Sequence, residues 1–371
     1  MKQLVEDERT DFAIRWLLET PEPAIRALAE VEFAGGASGG VERSGAIEAL
    51  LGGDDPARLL ALHPYTKWVG SHWRLVSLVE LGVAGTEPVL QPMVEQVLTW
   101  LTGGGRLSRI RVVAGKARAH ASQEGNALAV CSRLGLAAEP RVALLAEALL
   151  AWQWPDGGWN CDVRAEAGHA SFHETLAPIW GLHEYARATG NPQAAAAARR
   201  GAELLLERRI FRRRRDGEVI NRAWTALHYP PYWHYDILQA LLVTSRMGLA
   251  TDPRASDALD LLERRRLPDG RWRPGGYWWK PFGSASAREV VDWGRSGPNP
   301  MITLNAIRVL TAAGRLTEVP LSVQRHARLT SNPGSGRRRS PGSDLPTNSI
   351  DNRLDDPQRD RSPDQHSQTF Q

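Results

Sequence analysis

Residues Gln153 to Trp159 read Gln-Trp-Pro-Asp-Gly-Gly-Trp and follow directly on the apolar run Leu144–Trp152. Pro fixes φ, Asp initiates a turn and Gly supplies backbone freedom, so a helix must stop and reverse here. The closing Trp is the informative residue, because a large indole just past a turn needs a pocket to fill. Leu267-Pro268-Asp269-Gly270-Arg271-Trp272 repeats the arrangement after the helical run Ala258–Arg266. Arg215-Asp216-Gly217-Glu218-Val219 reads as a third, degraded copy with Val in place of Trp. A turn-plus-Trp unit that recurs after helical runs predicts a repeat architecture.

The rest of the chain supports helical hairpins. Apolar residues recur at helical spacing, strand-like alternation is scarce, and Ala, Leu, Arg and Glu dominate. Phe12–Phe33 reads as a short helix pair broken at Thr20-Pro21-Glu22-Pro23. Segments beginning at His72, Gly125, Phe172, Trp233 and Met301 each run from a polar or aromatic entry into a helix apolar on most faces. Their starts lie roughly 50–65 residues apart, the length of one helical hairpin with its loop. Val89–Leu101, Arg141–Trp152, Gln193–Arg209 and Ala255–Arg266 each carry one apolar stripe, as outer helices do. The expected fold is therefore all-α: an α/α toroid, closed or incomplete, of about five hairpins. The chain divides into an N-terminal helical segment (1–40), the toroid domain (41–320) and a polar tail (321–371). The tail is rich in Ser, Pro, Arg, Asp and Gln, with Phe370 as its sole aromatic, so disorder is expected there.

Gln153-(x)3-Gly157-Gly158-Trp159 after an apolar helix resembles the QW repeat of the terpenoid cyclase and protein prenyltransferase superfamily. The second copy matches except that Arg265 or Arg266 stands in place of Gln. His173-Glu-Thr-Leu-Ala-Pro-Ile-Trp-Gly-Leu is similar to an inner-helix entry of prenyltransferase β-subunits. Trp159-Asn160-Cys161-Asp162 and Tyr229–Asp236 look like a bacterial squalene-cyclase-like or prenyltransferase-like group. The resemblance spans residues 55–315. It implies an α/α toroid, an isoprenoid substrate and, at His173, a zinc ligand. The partner ligands of that zinc would fall near Glu124-Gly125-Asn126, where Asn126 stands in place of a thiolate.

The chemistry of the superfamily is only partly present. Cyclases that protonate an alkene need an Asp-x-Asp-Asp cluster, and those that ionise a diphosphate need Asp-Asp-x-x-Asp for Mg²⁺. Neither pattern occurs: Asp54-Asp55 lies in a turn and Asp355-Asp356 in the tail. A zinc set can instead be drawn from Cys161, Asp162, His169 and His173, because His169 and His173 share a face if the segment is helical. The alternative for these residues is ordinary burial and helix capping. The other cysteine, Cys131, falls mid-helix and reads as core.

In a toroid the inner-helix N-termini gather at one mouth. His72, Asn126, His173, His234 and Asp236 all sit at such entries and make the candidate polar site, with His72, His173, His234 and Asp236 as candidate catalytic groups. Fourteen Trp against six Phe and six Tyr offer an aromatic wall. Trp68, Trp73, Trp180, Trp224, Trp233, Trp278 and Trp279 are candidates to line an apolar cavity, and Trp73, Trp180, Trp233, Tyr235 and Asn126 are the expected substrate contacts. Trp159 and Trp272 read instead as braces between repeats.

The preferred functional expectation is an enzyme-like protein of isoprenoid metabolism, prenyltransferase- or terpene-cyclase-like. Two alternatives stand beside it: a non-catalytic toroid that binds a lipid or protein, and a zinc-dependent peptide-modifying toroid. The cofactor is undetermined, with Zn as the candidate. Expected partners are an apolar or isoprenoid small molecule and peripheral contact with a membrane surface. The net charge is +4, about half of it in the tail from Gln324; basic Arg runs stand at 208–209, 212–215 and 264–266, and no nucleic-acid motif accompanies them. Two cysteines, no apolar leader and no run of transmembrane length lead to the expectation of a cytoplasmic protein.

Overall fold

Five helices are buried on nearly every face: α5 (Ser71–Glu80), α7 (Ala121–Arg133), α9 (Phe172–Thr189), α11 (Ile237–Arg246) and α13 (Pro300–Ala312). Four others bury a single stripe: α6 (Leu90–Thr102), α8 (Pro140–Trp152), α10 (Pro192–Glu207) and α12 (Ser256–Arg264). The computed structural model describes residues 2–36, 43–85, 87–280 and 289–316. The tail expected to be disordered, 321–371, lies outside the described residues. The described residues are mostly helical, an all-α fold with one small two-stranded sheet. None of these helices is long and apolar enough to cross a membrane.

Each of α5, α7, α9 and α11 packs on the striped helix that follows it, and the buried helices neighbour one another in chain order from α5 to α13. The tightest crossing is α7 on α9. A Cβ on Gly125 would overlap the backbone of Ala177 and Pro178, and one on Gly181 would overlap the Gly125 carbonyl. Only Gly permits that approach. Polar caps fix where α11 and α13 start: Asp236 Oδ1 accepts the Gln239 N–H at 2.9 Å and Asn299 Oδ1 accepts the Ile302 N–H at 3.0 Å. Each cap contributes about 1 kcal/mol.

The repeated turns brace one hairpin on the next. Gln153 Nε2 donates to Gly157 O at 2.7 Å and to Ala197 O, on α10, at 2.9 Å. Trp159 is fully buried, and its indole N–H meets Leu149 O at 2.9 Å. In the second copy Arg266 takes the part of Gln153, with Nε donating to Gly270 O at 3.1 Å. Trp272 is fully buried, and its indole N–H meets Leu262 O at 2.9 Å. In the degraded copy Arg212 Nη1 donates to Gly217 O at 2.8 Å and Nε to Asp257, on α12, at 2.5 Å. Burying an indole removes roughly 200 Å² from water and stabilises by about 5 kcal/mol before ordering entropy is subtracted.

Residues 2–36 of the N-terminal segment join this packing. It forms α1 (Lys2–Leu18) and α2 (Pro23–Phe33), broken at the expected Pro-rich stretch. Both helices pack on α13, and Arg308 of α13 pairs with Glu32 at 3.2 Å. Two local expectations are corrected. Arg111–Val113 and Lys116–Arg118 pair as an antiparallel hairpin, turned by Ala114 (φ 51°) and Gly115 (φ 72°). Trp233, His234 and Tyr235 lie in a loop, because α11 begins only at Ile237. Two short helices, α3 (Gly45–Leu50) and α4 (Pro56–Ala61), lead into α5, and Asp55 caps α4.

Candidate functional site

A cavity of about 670 Å³, part of it open to solvent, lies between α5, α7, α9 and α11. Its walls are Val76, Leu176, Ala177, Trp180, Leu242 and Val243, with Tyr229, Pro230, Pro231, Tyr232 and Trp233 contributed by the loop before α11. At one end Glu80 and Arg246, the last residues of α5 and α11, pair at 3.1 Å. Burial works against the Glu80 charge, but Arg246, Arg133 and Arg308 outweigh it and hold its pKa low. The polar lining comprises Ser77, Asn126, His173, His234, Gln239 and this pair. Asn126 Nδ2 and Gln239 Nε2 are buried without a hydrogen-bond partner. Two unsatisfied donors beside a cavity are costly unless a ligand or water accepts from them.

The loop that covers the cavity is held by aromatic stacking. His228, Trp278, His234 and Trp233 form a column with centroid separations of 4.2, 4.1 and 4.1 Å. Tyr232 stacks on Trp68 at 4.0 Å, with 4° between the planes. The Tyr232 hydroxyl donates to Glu289, which also accepts the Trp293 indole N–H at 3.3 Å. Burial pushes the Glu289 carboxyl up to about 7, although these hydrogen bonds and Arg74 oppose the shift.

His173 and His234 face each other with ring centroids 6.3 Å apart. His173 Nδ1 accepts the Tyr235 N–H at 2.9 Å, so its proton sits on Nε2. His234 Nδ1 lies 3.3 Å from Pro231 O, which favours a proton on Nδ1 and a lone pair on Nε2. Burial pushes both imidazoles down, His173 to about 4 and His234 to about 3. At neutral pH the pair is uncharged and offers one donor and one acceptor.

The other expected site residues have different settings. Asp236 is buried, caps α11 and accepts from His228 N at 3.0 Å and from His228 Nδ1 at 3.1 Å; neither contact involves His234. His72 is buried among Tyr65, Trp73 and Trp100 and lines a small separate apolar cavity with Leu75 and Val97. Trp73 donates to Tyr65 O and Tyr235 to Ile210 O, so both are packing residues outside the main cavity. Trp180, Trp233 and Asn126 do line it. Tyr229, Tyr232 and Gln239 line it as well; the first two fall in the Tyr229–Asp236 stretch, whereas Gln239, and Glu289 behind Tyr232, carry no signal in the sequence.

No three of the expected metal ligands Cys161, Asp162, His169 and His173 bring ligand atoms within 4.8 Å of one another. Asp162 forms a two-pronged pair with Arg164 at 2.7–3.1 Å, and the His169 carbonyl accepts from Asn160 Nδ2. Among the described residues one group brings ligand atoms within 4.8 Å of one another: His120, Cys161 and Glu174. His120 immediately precedes α7, which begins four residues before the expected entry at Gly125. Glu174, in the first turn of α9, is buried; its Oε2 accepts the Ser122 N–H at 2.9 Å and its Oε1 lies 3.4 Å from His120 Nδ1. Burial raises the Glu174 pKa, but His120 and Ser122 more than offset this and leave it below the usual carboxylate range.

Most of the Arg residues in the runs 208–209 and 212–215 are matched by acids. Arg209 and Arg212 share Asp257, Arg214 pairs with Glu207, and Arg213 and Arg215 meet Asp216. No family model, no curated protein and no solved structure matches this chain. The resemblance to the toroid superfamily therefore stands on the quoted residues.

Proposed function

We propose that the protein is an enzyme-like α/α toroid that holds an apolar, isoprenoid-class molecule in the cavity between α5, α7, α9 and α11. The observation that carries this reading is the cavity's composition: aromatic and aliphatic walls with a few convergent, incompletely satisfied polar groups. That is the usual make-up of a small-molecule site. Ring closure is part of the proposal, with α1 as the outer partner of α13 and the turn braces linking successive hairpins.

The electrostatics favour a neutral ligand over a diphosphate. His173 and His234 are uncharged, and Arg246, which lines the cavity, is already paired with Glu80. A hydroxyl or carbonyl can accept from His173 Nε2–H, Asn126 or Gln239, and a hydroxyl can donate to His234. A prenyl alcohol fits this set of donors and acceptors. The aromatic wall also favours electron-poor carbon, as in a prenyl-transfer or cyclisation reaction.

The test is a titration with farnesol and farnesyl diphosphate, read by tryptophan fluorescence and thermal shift. Farnesol is expected to quench fluorescence and raise the melting temperature. Trp180→Ala and His173→Ala are expected to weaken the effect by about 10-fold or more, a loss of roughly 1.4 kcal/mol. Absence of any response to either ligand in the wild-type protein contradicts the reading.

A further inference from the structure

We propose that His120, Cys161 and Glu174 form a zinc site with an open coordination position, independent of the cavity reading. The three residues come from separate segments: the residue before α7, the loop after Trp159 and the first turn of α9. Their ligand atoms nevertheless lie within 4.8 Å of one another. Donors around a tetrahedral zinc stand roughly 3.3–3.7 Å apart, from metal–ligand distances of about 2.0–2.3 Å. The His120 Nδ1–Glu174 Oε1 separation is already 3.4 Å.

The donor chemistry selects the metal. One thiol, one imidazole and one carboxylate suit zinc, whereas calcium and magnesium take oxygen ligands. The carboxylate is held in place from behind, because Glu174 Oε2 accepts the Ser122 N–H. An anchored ligand of this kind is the usual outer support of a metal centre.

Charge gives a second, independent argument. Glu124, on the same turn of α7 as Ser122, is buried, and its Oε2 has no hydrogen-bond partner. It pairs with Arg106 at 3.0 Å, and Glu174 adds a second buried acid whose charge acts against it. Zn²⁺ bound by the Cys161 thiolate, the Glu174 carboxylate and neutral His120 would be neutral overall. Binding would displace the thiol proton, and that of His120 where present, to solvent.

His120 is the exposed member, with 63% of its side-chain surface accessible, so solvent reaches the site. Three protein ligands and solvent access leave the fourth position to water or to a ligand group, as in zinc sites that act as Lewis acids. The triad differs from the set centred on His173, whose Nδ1 is taken by the Tyr235 N–H.

The experiment is a titration of chelator-stripped full-length protein with Zn²⁺ and with Co²⁺. One equivalent is expected to bind, with proton release, and Co²⁺ is expected to give a thiolate-to-metal charge-transfer band and intense tetrahedral d–d bands. Cys161→Ser should abolish the charge-transfer band, and His120→Ala should weaken binding by more than about 100-fold. Cys131→Ser and His169→Ala should leave both unchanged. His120 is exposed, so its variant keeps the fold, and circular dichroism checks this. Uptake well below one equivalent, a band that survives Cys161→Ser, or affinity unchanged by His120→Ala overturns the proposal.

Discussion

Arg266 Nη2 donates to Thr10 Oγ1 at 2.8 Å and so ties the end of α12 to the first helix of the chain. Gln153 makes the corresponding reach from α8 to α10 through Ala197 O. The likeness extends to the glycines: a Cβ on Gly157 would strike Arg200 O on α10, and one on Gly270 would strike Arg9 O on α1. In this packing α1 stands to α12 as α10 stands to α8, although it begins the chain.

Gly270→Ala is therefore expected to be costly. The residue has φ +89° and its Cβ would meet a backbone carbonyl rather than a movable side chain. Gly248, at φ +73° with open space around it, is the control. Urea unfolding should show a loss above ~2 kcal/mol for Gly270→Ala and about 1 kcal/mol for Gly248→Ala. Equal losses would mean that α1 is not docked at this turn.

Trp159→Phe tests the brace itself. The change keeps an aromatic ring but removes the N–H that meets Leu149 O and leaves that carbonyl buried without this partner. A loss of about 1–3 kcal/mol is expected, with the same result for Trp272→Phe at Leu262. A neutral outcome at both positions would reduce the repeat to a sequence coincidence.

These braces were legible because they are local. The Pro-Asp-Gly turn, the indole and the carbonyl it reaches lie within one short stretch of chain. The buried and striped helices were legible for a related reason, since apolar periodicity reports burial directly. The site was legible only in part. His173 and Trp180 were found because they lie on α9, a helix whose inner face is plain from its pattern. His234 was found, but its setting was not, because the stacking partner Trp278 comes from a loop with no periodicity. His120, Cys161 and Glu174 meet through tertiary packing of α7 on α9, and no spacing in the sequence encodes that contact.

Acid should destabilise the fold through His72. Burial pushes this imidazole down to about 3, and Arg106 adds to the shift. An unfolded histidine titrates near 6.5. Below that pH the unfolded chain takes up a proton that the native state refuses. Stability is thus level above pH ~6.5 and falls as pH drops toward 3, by up to ~1.4 kcal/mol per pH unit for this residue. Urea midpoints at pH 7 and pH 5 should converge in His72→Leu relative to wild type. An unchanged difference would show that His72 is protonated, or accessible, in the native state.

Glu289 has the opposite sign. Its carboxyl is pushed up to about 7 from 4.5, so the native state keeps a proton that the unfolded chain releases. Its contribution is complete below pH ~4.5, declines as pH rises to about 7 and is level beyond, again by up to ~1.4 kcal/mol per unit. Glu289→Gln should remove this decline while retaining an acceptor for the Tyr232 hydroxyl. The measurement is the stability difference between variant and wild type across pH 4.5–7, and a constant difference would place the ionised form in the folded protein.

The central claim, occupancy of the cavity by a neutral isoprenoid, is tested most directly by photo-crosslinking. A diazirine-bearing prenyl alcohol would be irradiated with the full-length protein and the adducts mapped by mass spectrometry. The predicted adducts fall on Trp180, Trp233, Leu242 and Val243 and disappear in the presence of excess farnesol. Adducts confined to exposed apolar residues such as Val112, Leu144 and Val163, and indifferent to farnesol, would contradict the account.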